Sequence, residues 1–219
     1  MIDSELAGKM VLAPLTTETS EADIRTFAND LEGINVYSII VDEYYIQLAK
    51  EILPGRRIGT IVSYPLGSLT TEVNKKLIRK ALDYGCSEID YSPKFNHFKS
   101  KKYDLLKNEL EEVVELVDNK LDIVAVPQVG QMTMAEIEKI CSLFLNMGIN
   151  IIKTNSGLNQ GITEIEHVQF IKRIFGDSLE VEVSGGVRTR EQAMAFFEIG
   201  ADRIHSSTWK QIIGIDKED

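Results

Sequence analysis

Cysteine is scarce in this chain of 219 residues: there are two, Cys86 and Cys141, and they form no CxxC. That spacing speaks against a disulfide framework or a thiolate metal site, and predicts two small buried residues in a reducing compartment. Histidine is scarce as well. His97, His167 and His205 form no HExxH or other close ligand cluster, so no metal is expected. The sequence has no Ser/Gly-rich linker and no low-complexity segment. No apolar run approaches the roughly 18–20 residues of a membrane-spanning helix. The opening MIDSELAGKM lacks the basic and apolar regions of a secretory signal, so a cytoplasmic location is the expectation. Basic residues are outnumbered, 24 Lys and Arg against 34 Asp and Glu, for a net charge of −10. Such a balance argues against nucleic acid or an anionic membrane surface as partner, and leaves room for a local site for a small anion.

What is present is a rhythm. Hydrophobic residues make up 43% of the chain and mean hydropathy is −0.09, as in a soluble globule. Eight short apolar, β-branched runs occupy 10–15, 34–41, 57–64, 87–92, 121–127, 149–154, 179–184 and 202–207. Amphipathic stretches lie between them. Ile24, Phe27, Ala28 and Leu31 fall on one helix face, and similar stripes run through 102–117 and 133–147. A further helix is predicted over 163–175, opening at Thr163 with Glu166 three residues on, and Thr189 precedes another. Strands alternating with helices of this length argue for parallel βαβ units. Eight units in one chain predict an α/β fold, a single (β/α)8 TIM barrel over residues 1–219, with a doubly wound open sheet as the alternative.

In a barrel the chemistry sits at the C-terminal ends of the strands. The polar residues there include Asp42 and Glu43, Ser63, Asp90, Ser92 and Lys94, Gln128, and Lys153 through Gly157. Glu182, the run Ser184-Gly185-Gly186-Val187-Arg188, and His205 through Thr208 complete the set. Lys153 stands in an apolar strand. It is either a desolvated amine able to form a Schiff base or a strand-end lysine reaching water. Glu182 shares its parity with Ser184; facing inward it would need a cation, and Lys153 on the next strand is the natural one. VSGGVRT ends in the N-terminal turn of a helix, and the hydroxyls of SST follow the last strand. Together they read either as a phosphate site or as two ordinary βα turns.

These residues, in this order, resemble the deoxyribose-phosphate aldolase family of class I aldolases over residues 10–213. SYPLGSLTTEV (63–73) is similar to the family's G-F-P-L-G-x-x-T-T-E-V, and ALDYGCSEID (81–90) to its A-x-x-x-G-A-x-E-I-D. NIIKTNSG (150–157) is similar to F-V-K-T-S-T-G, and VEVSGGVRT (181–189) to V-K-A-S-G-G-I-R-T. The resemblance implies that Lys153 is the Schiff-base lysine and that Asp90 moves protons around the carbinolamine. It implies that Gly157, Gly185, Gly186, Val187, Arg188, Ser207 and Thr208 bind a substrate phosphate. No organic cofactor or metal is implied; the partner is a small carbonyl compound or sugar phosphate, and a homodimer is allowed. The chain departs from the pattern at four positions. Glu182 stands where the family has a second active-site lysine, Ala13 where it has an aspartate, Lys94 where it has asparagine, and His205 at a glycine of the phosphate loop. Lysine at the second site would lower the pKa of the first, whereas a carboxylate raises it. Two readings follow: an aldolase with altered chemistry, in which Glu182 or Lys94 assists Lys153, or an inactive barrel that binds a phosphorylated sugar or a protein partner.

Overall fold

The computed structural model describes residues 2–157 and 161–215. Each of the eight apolar runs holds a strand: β1 (Met10–Leu12), β2 (Ser38–Val41), β3 (Ile58–Val62), β4 (Glu88–Tyr91), β5 (Asp122–Ala125), β6 (Ile151–Lys153), β7 (Glu180–Val183) and β8 (Arg203–His205). All neighbours pair in parallel, and β8 closes on β1 to make a (β/α)8 TIM barrel. The helices are α1 (Ser4–Ala7), α2 (Glu21–Asp30), α3 (Ile46–Ile52), α4 (Thr71–Asp83), α5 (Phe95–Lys99), α6 (Tyr103–Val117), α7 (Met134–Asn146), α8 (Ile165–Phe175), α9 (Arg190–Glu198) and α10 (Trp209–Ile212). Capping boxes start α2, with Ser20 and Asp23, α7, with Thr133 and Glu136, and α9, with Thr189 and Gln192. Among the described residues no helix is long and apolar enough to cross a membrane.

One predicted boundary shifts. Thr163 does not cap α8. Glu164 holds that position, and its N–H donates to His167 Nδ1 at 3.0 Å. Thr163 is instead buried, with its hydroxyl turned into a polar knot beneath the β7 turn.

The strands have two faces of different character. Ile89, Tyr91, Ile152, Val181, Val183 and Ile204 face the helices and form the apolar core. A fully buried side chain of this kind contributes about 1.5–3 kcal/mol relative to an exposed one. The alternate positions face the barrel axis, and many are charged: Glu88, Asp90, Lys153, Glu182 and Arg203 are all buried. Register aligns them, since Lys153 pairs with Glu182 and Glu182 with Arg203. Gly59 on β3 makes room, because a Cβ there would lie 2.7 Å from Glu88 Cγ.

Candidate active site

Lys153 ends β6 in the barrel interior. Its Nζ lies 2.8 Å from Asp90 Oδ2 and 3.1 Å from Glu182 Oε1, and all three side chains are 1% exposed. The second oxygen of each carboxylate has no hydrogen-bond partner. Burial alone would drive the lysine neutral, but the fields of Asp90 and Glu182 outweigh it and hold the ammonium above the ordinary lysine range. Burial pushes the Glu182 carboxyl up to about 7 against the pull of Lys153. The group is thus one cation between two carboxylates, closed off from the surface.

Above it opens a cavity of about 280 Å³ at the C-terminal ends of the strands. Its lining includes Ala13, Tyr64, Ser184, Gly185, Arg188 and His205. Tyr64 and His205 both line it, and both lie near enough to Lys153 to feel its charge. Tyr64 follows β3, and its hydroxyl donates to the Ser156 carbonyl. Burial pushes its pKa up to about 12, so it stays a proton donor at neutral pH. Nothing in the strand pattern distinguished Tyr64. The available signal was a hydroxyl at the phenylalanine of the family's G-F-P-L-G segment.

The far wall is the Ser184–Arg188 turn. Gly185 and Gly186 adopt φ of 90° and 98°, and a Cβ on Gly186 would lie 3.2 Å from Ile162 Cβ. Glycine therefore serves both the turn and the close approach of the main chain to the cavity. Gly157 also lines the cavity, at φ 77°. A buried knot supports the turn from below. The Ser184 carbonyl accepts from the Thr163 hydroxyl at 2.7 Å and from the Thr154 hydroxyl at 3.1 Å, and the Ser184 N–H donates to Thr154 Oγ1 at 2.9 Å. Asn155 Nδ2 donates to Thr163 Oγ1 at 2.8 Å. Sequence reasoning missed this knot, because strand-end hydroxyls look the same whether they face a ligand or a carbonyl.

The predicted residues separate into three groups. Lys153, Asp90 and Glu182 come together. Gly157, Gly185, Gly186, Val187, Arg188 and Ser207 line the cavity. Thr208 and Lys94 do something else. The Thr208 hydroxyl donates to the Arg188 carbonyl at 2.8 Å and fastens the β8 loop to the β7 turn. Lys94 is not brought to the triad. Pro93 breaks the strand alternation after Ser92, and Lys94 turns out between helices, donating to Thr71 Oγ1 at 2.8 Å with Glu109 Oε2 at 3.9 Å.

No family model matches the chain. The deoxyribose-phosphate aldolase of Dictyoglomus turgidum is 32% identical over 211 residues, which cover 95% of this chain and 96% of that protein. Among solved structures, "QR15, an Aldolase" superposes with a TM-score of 0.90 at 29% identity, covering 95% of this chain and 94% of that one. A tetrameric deoxyribose phosphate aldolase from Aeropyrum pernix shares the fold, with a TM-score of 0.86 at 19% identity over 96% of this chain and 90% of that one.

Proposed function

Since the chain belongs to the deoxyribose-phosphate aldolase family, we propose that it is an aldolase of the lyase class whose Lys153 forms a Schiff base with a small aldehyde, ketone or sugar phosphate. The observation that carries this reading is the buried Lys153–Asp90–Glu182 triad beneath a cavity with a glycine-lined main-chain wall. The 1–219 chain works in it as one barrel domain, without an organic cofactor.

Glu182 in place of the family's second lysine changes how the amine is freed. In a buried site the cost of desolvating two charges offsets much of their attraction, which brings the neutral pair within reach as an intermediate. Lys153 Nζ passes a proton to Glu182, whose raised pKa makes it a fitting acceptor near neutral pH. The neutral amine attacks the carbonyl carbon. Glu182 returns the proton to the carbinolamine oxygen, water leaves, and a protonated imine remains. Ammonium and protonated imine carry the same charge, so the two carboxylates stabilise the imine as they did the ammonium. Asp90, at 2.8 Å, is its counter-ion throughout. The substrate phosphate lies against Gly157, Gly185, Gly186 and Val187, with Arg188 and Ser207 at the rim. Lys153 is 1% exposed, so the carbonyl reaches it only when the Tyr64 side chain at the cavity floor turns aside.

A second reading, the inactive barrel, draws on the same triad: an ammonium held by two carboxylates is a poor nucleophile. Borohydride reduction followed by intact-protein mass spectrometry decides between them, using small aldehydes, ketones and deoxyribose 5-phosphate from pH 6 to 9. A covalent adduct that disappears in Lys153→Ala is expected. No adduct with any compound supports the binding-only barrel. Glu182→Lys is expected to raise retro-aldol activity on deoxyribose 5-phosphate, by about tenfold for each unit that the Lys153 pKa falls. No gain would mean that another residue limits the reaction or that its substrate is different. The homodimer expectation stands as part of this proposal, and light scattering measures it.

A further inference from the structure

His205 lines the cavity, and the mechanism above has no chemical use for it. It ends β8 and pairs in register with Val11 of β1. Its Nδ1 lies 3.0 Å from the Val11 carbonyl oxygen. A carbonyl can only accept, so Nδ1 carries the proton, and in the neutral ring Nε2 holds a lone pair. The ring itself lines the cavity. Ala13, two residues on from Val11 and just past β1, lines the cavity too. Where the related pattern has a carboxylate on β1 and glycine on β8, this chain has a methyl group on β1 and an imidazole on β8.

The height of His205 along the barrel axis gives it a task. Glu182 pairs with Arg203, so His205, two residues on, stands one layer above the triad, level with Ser184. A substrate bound through its carbonyl carbon at Lys153 and its phosphate at residues 185–188 must carry its middle carbons past that layer. Among the described residues lining the cavity, the titratable ones are Tyr64, Arg188 and His205. A guanidinium has no lone pair to offer. The Tyr64 hydroxyl spends its proton on the Ser156 carbonyl.

Resting on the Schiff-base reading, we propose that His205 Nε2 is the catalytic base for the substrate hydroxyl in the carbon–carbon step. In the cleavage direction, Nε2 takes the proton of the hydroxyl on the departing carbon, the far end of the bond that breaks. The O–H pair becomes the new carbonyl π bond, the carbon–carbon bond breaks, and its electron pair enters the protonated imine to give an enamine. The histidinium then gives its proton to solvent, the enamine carbon takes one from solvent, and the imine is hydrolysed. In the condensation direction the same nitrogen delivers the proton to the new alkoxide. Burial and the charge of Lys153 lower the His205 pKa well below its ordinary value, so the ring is neutral and able to accept at physiological pH.

The test separates the two halves of the reaction. Acetaldehyde is the donor probe and glyceraldehyde 3-phosphate the acceptor probe. Exchange of the acetaldehyde methyl hydrogens in D2O reports imine and enamine formation, and condensation reports the carbon–carbon step. His205→Asn keeps an amide donor for the Val11 carbonyl and removes the base; His205→Gln, with an amide near the Nε2 position, serves if the first variant does not fold. The expected result is a borohydride-trapped adduct and an exchange rate within about twofold of wild type, with condensation reduced about 100-fold or more. Condensation within about threefold of wild type overturns the assignment. So does a parallel fall in exchange and condensation, which would put His205 on the imine or in the scaffold. A wild-type protein that exchanges but does not condense leaves His205 no step to serve and also overturns it. Absence of any wild-type adduct or exchange is a different failure, and sinks the Schiff-base reading together with this one.

Discussion

At the C-terminal end of the barrel interior a lysine out of contact with water lies between two carboxylates. At the N-terminal end, two arginines flank the ring of Tyr37, Arg203 at 4.0 Å and Arg57 at 5.0 Å from its centroid. Arg57 lies 2.7 Å from Asp122 Oδ2 and 3.6 Å from Glu88 Oε2, and Arg203 pairs with Glu180. The carboxylates Asp122 and Glu180 are 43% and 42% exposed, against 1% for Asp90 and Glu182. Both ends thus place charge inside a barrel, but with different cations. A guanidinium keeps its proton at any pH a protein survives, so the lower set is fixed charge. An amine can lose its proton, and the upper set surrounds that amine with acceptors. The lower end holds strands; the upper end can exchange protons. Glu88 lies between them, its pKa raised by burial and by Asp90 against the pull of Arg57 and Arg203.

The largest difference should appear when each end loses its cation. Lys153→Met leaves two buried carboxylates unpaired. It should abolish adduct formation and cost about 3–5 kcal/mol at pH 8 in denaturant unfolding. That cost should shrink toward pH 5, as Glu182 protonates. Arg203→Met should cost about 2 kcal/mol, because the exposed Glu180 regains water. Adduct formation should remain within about threefold. If Arg203→Met also abolished the adduct, the two ends would be one electrostatic unit and the contrast would fail.

Glu182→Gln sharpens the contrast through pH. Burial raises the folded-state pKa of Glu182 from 4.5 to about 7, with Lys153 opposing. A raised pKa contributes stability that is fully present below pH 4.5 and lost as pH rises through 7. Glutamine does not titrate. The variant should therefore gain on wild type between pH 4.5 and 7 and hold a constant difference above it, in unfolding measured across that range. A gain in the opposite direction would show that the carboxylate is ionised well below pH 7. The smallest effect is expected from Tyr64→Phe. It removes one hydrogen bond to the Ser156 carbonyl, worth about 1 kcal/mol, and should leave the adduct in place.

Much of this was legible in the sequence, and what was not has a common cause. The strands could be read because a barrel strand must be apolar toward its helices, as Ile89 and Val181 are. Glu182 could be matched with Lys153 because parity and strand adjacency are local rules. Lys94 could not be placed, because a proline between it and the strand cancels parity. Thr163 read as a helix cap, since a threonine three residues before an acid fits that role wherever its hydroxyl finally points. Arg57 and Arg203 sit at the starts of their strands, where exposed and inward lysines and arginines look alike. Their partners, Asp122 and Glu180, come from other strands, so only the closed ring identifies the set.

The wall formed by Gly185 and Gly186 meets the cavity without side chains. Side chains that could have served there are already committed: Thr208 to the Arg188 carbonyl, Ser206 to the Val187 carbonyl at 2.7 Å, and Gln192 to the Arg188 N–H at 2.8 Å. What faces the cavity at residues 185 and 186 is main chain, which no single substitution deletes. A mutational survey should find that half of the cavity tolerant except at its glycines, and the triad half intolerant almost throughout. Over evolutionary time such a molecule can revise the chemistry of its triad while the main-chain wall keeps its shape.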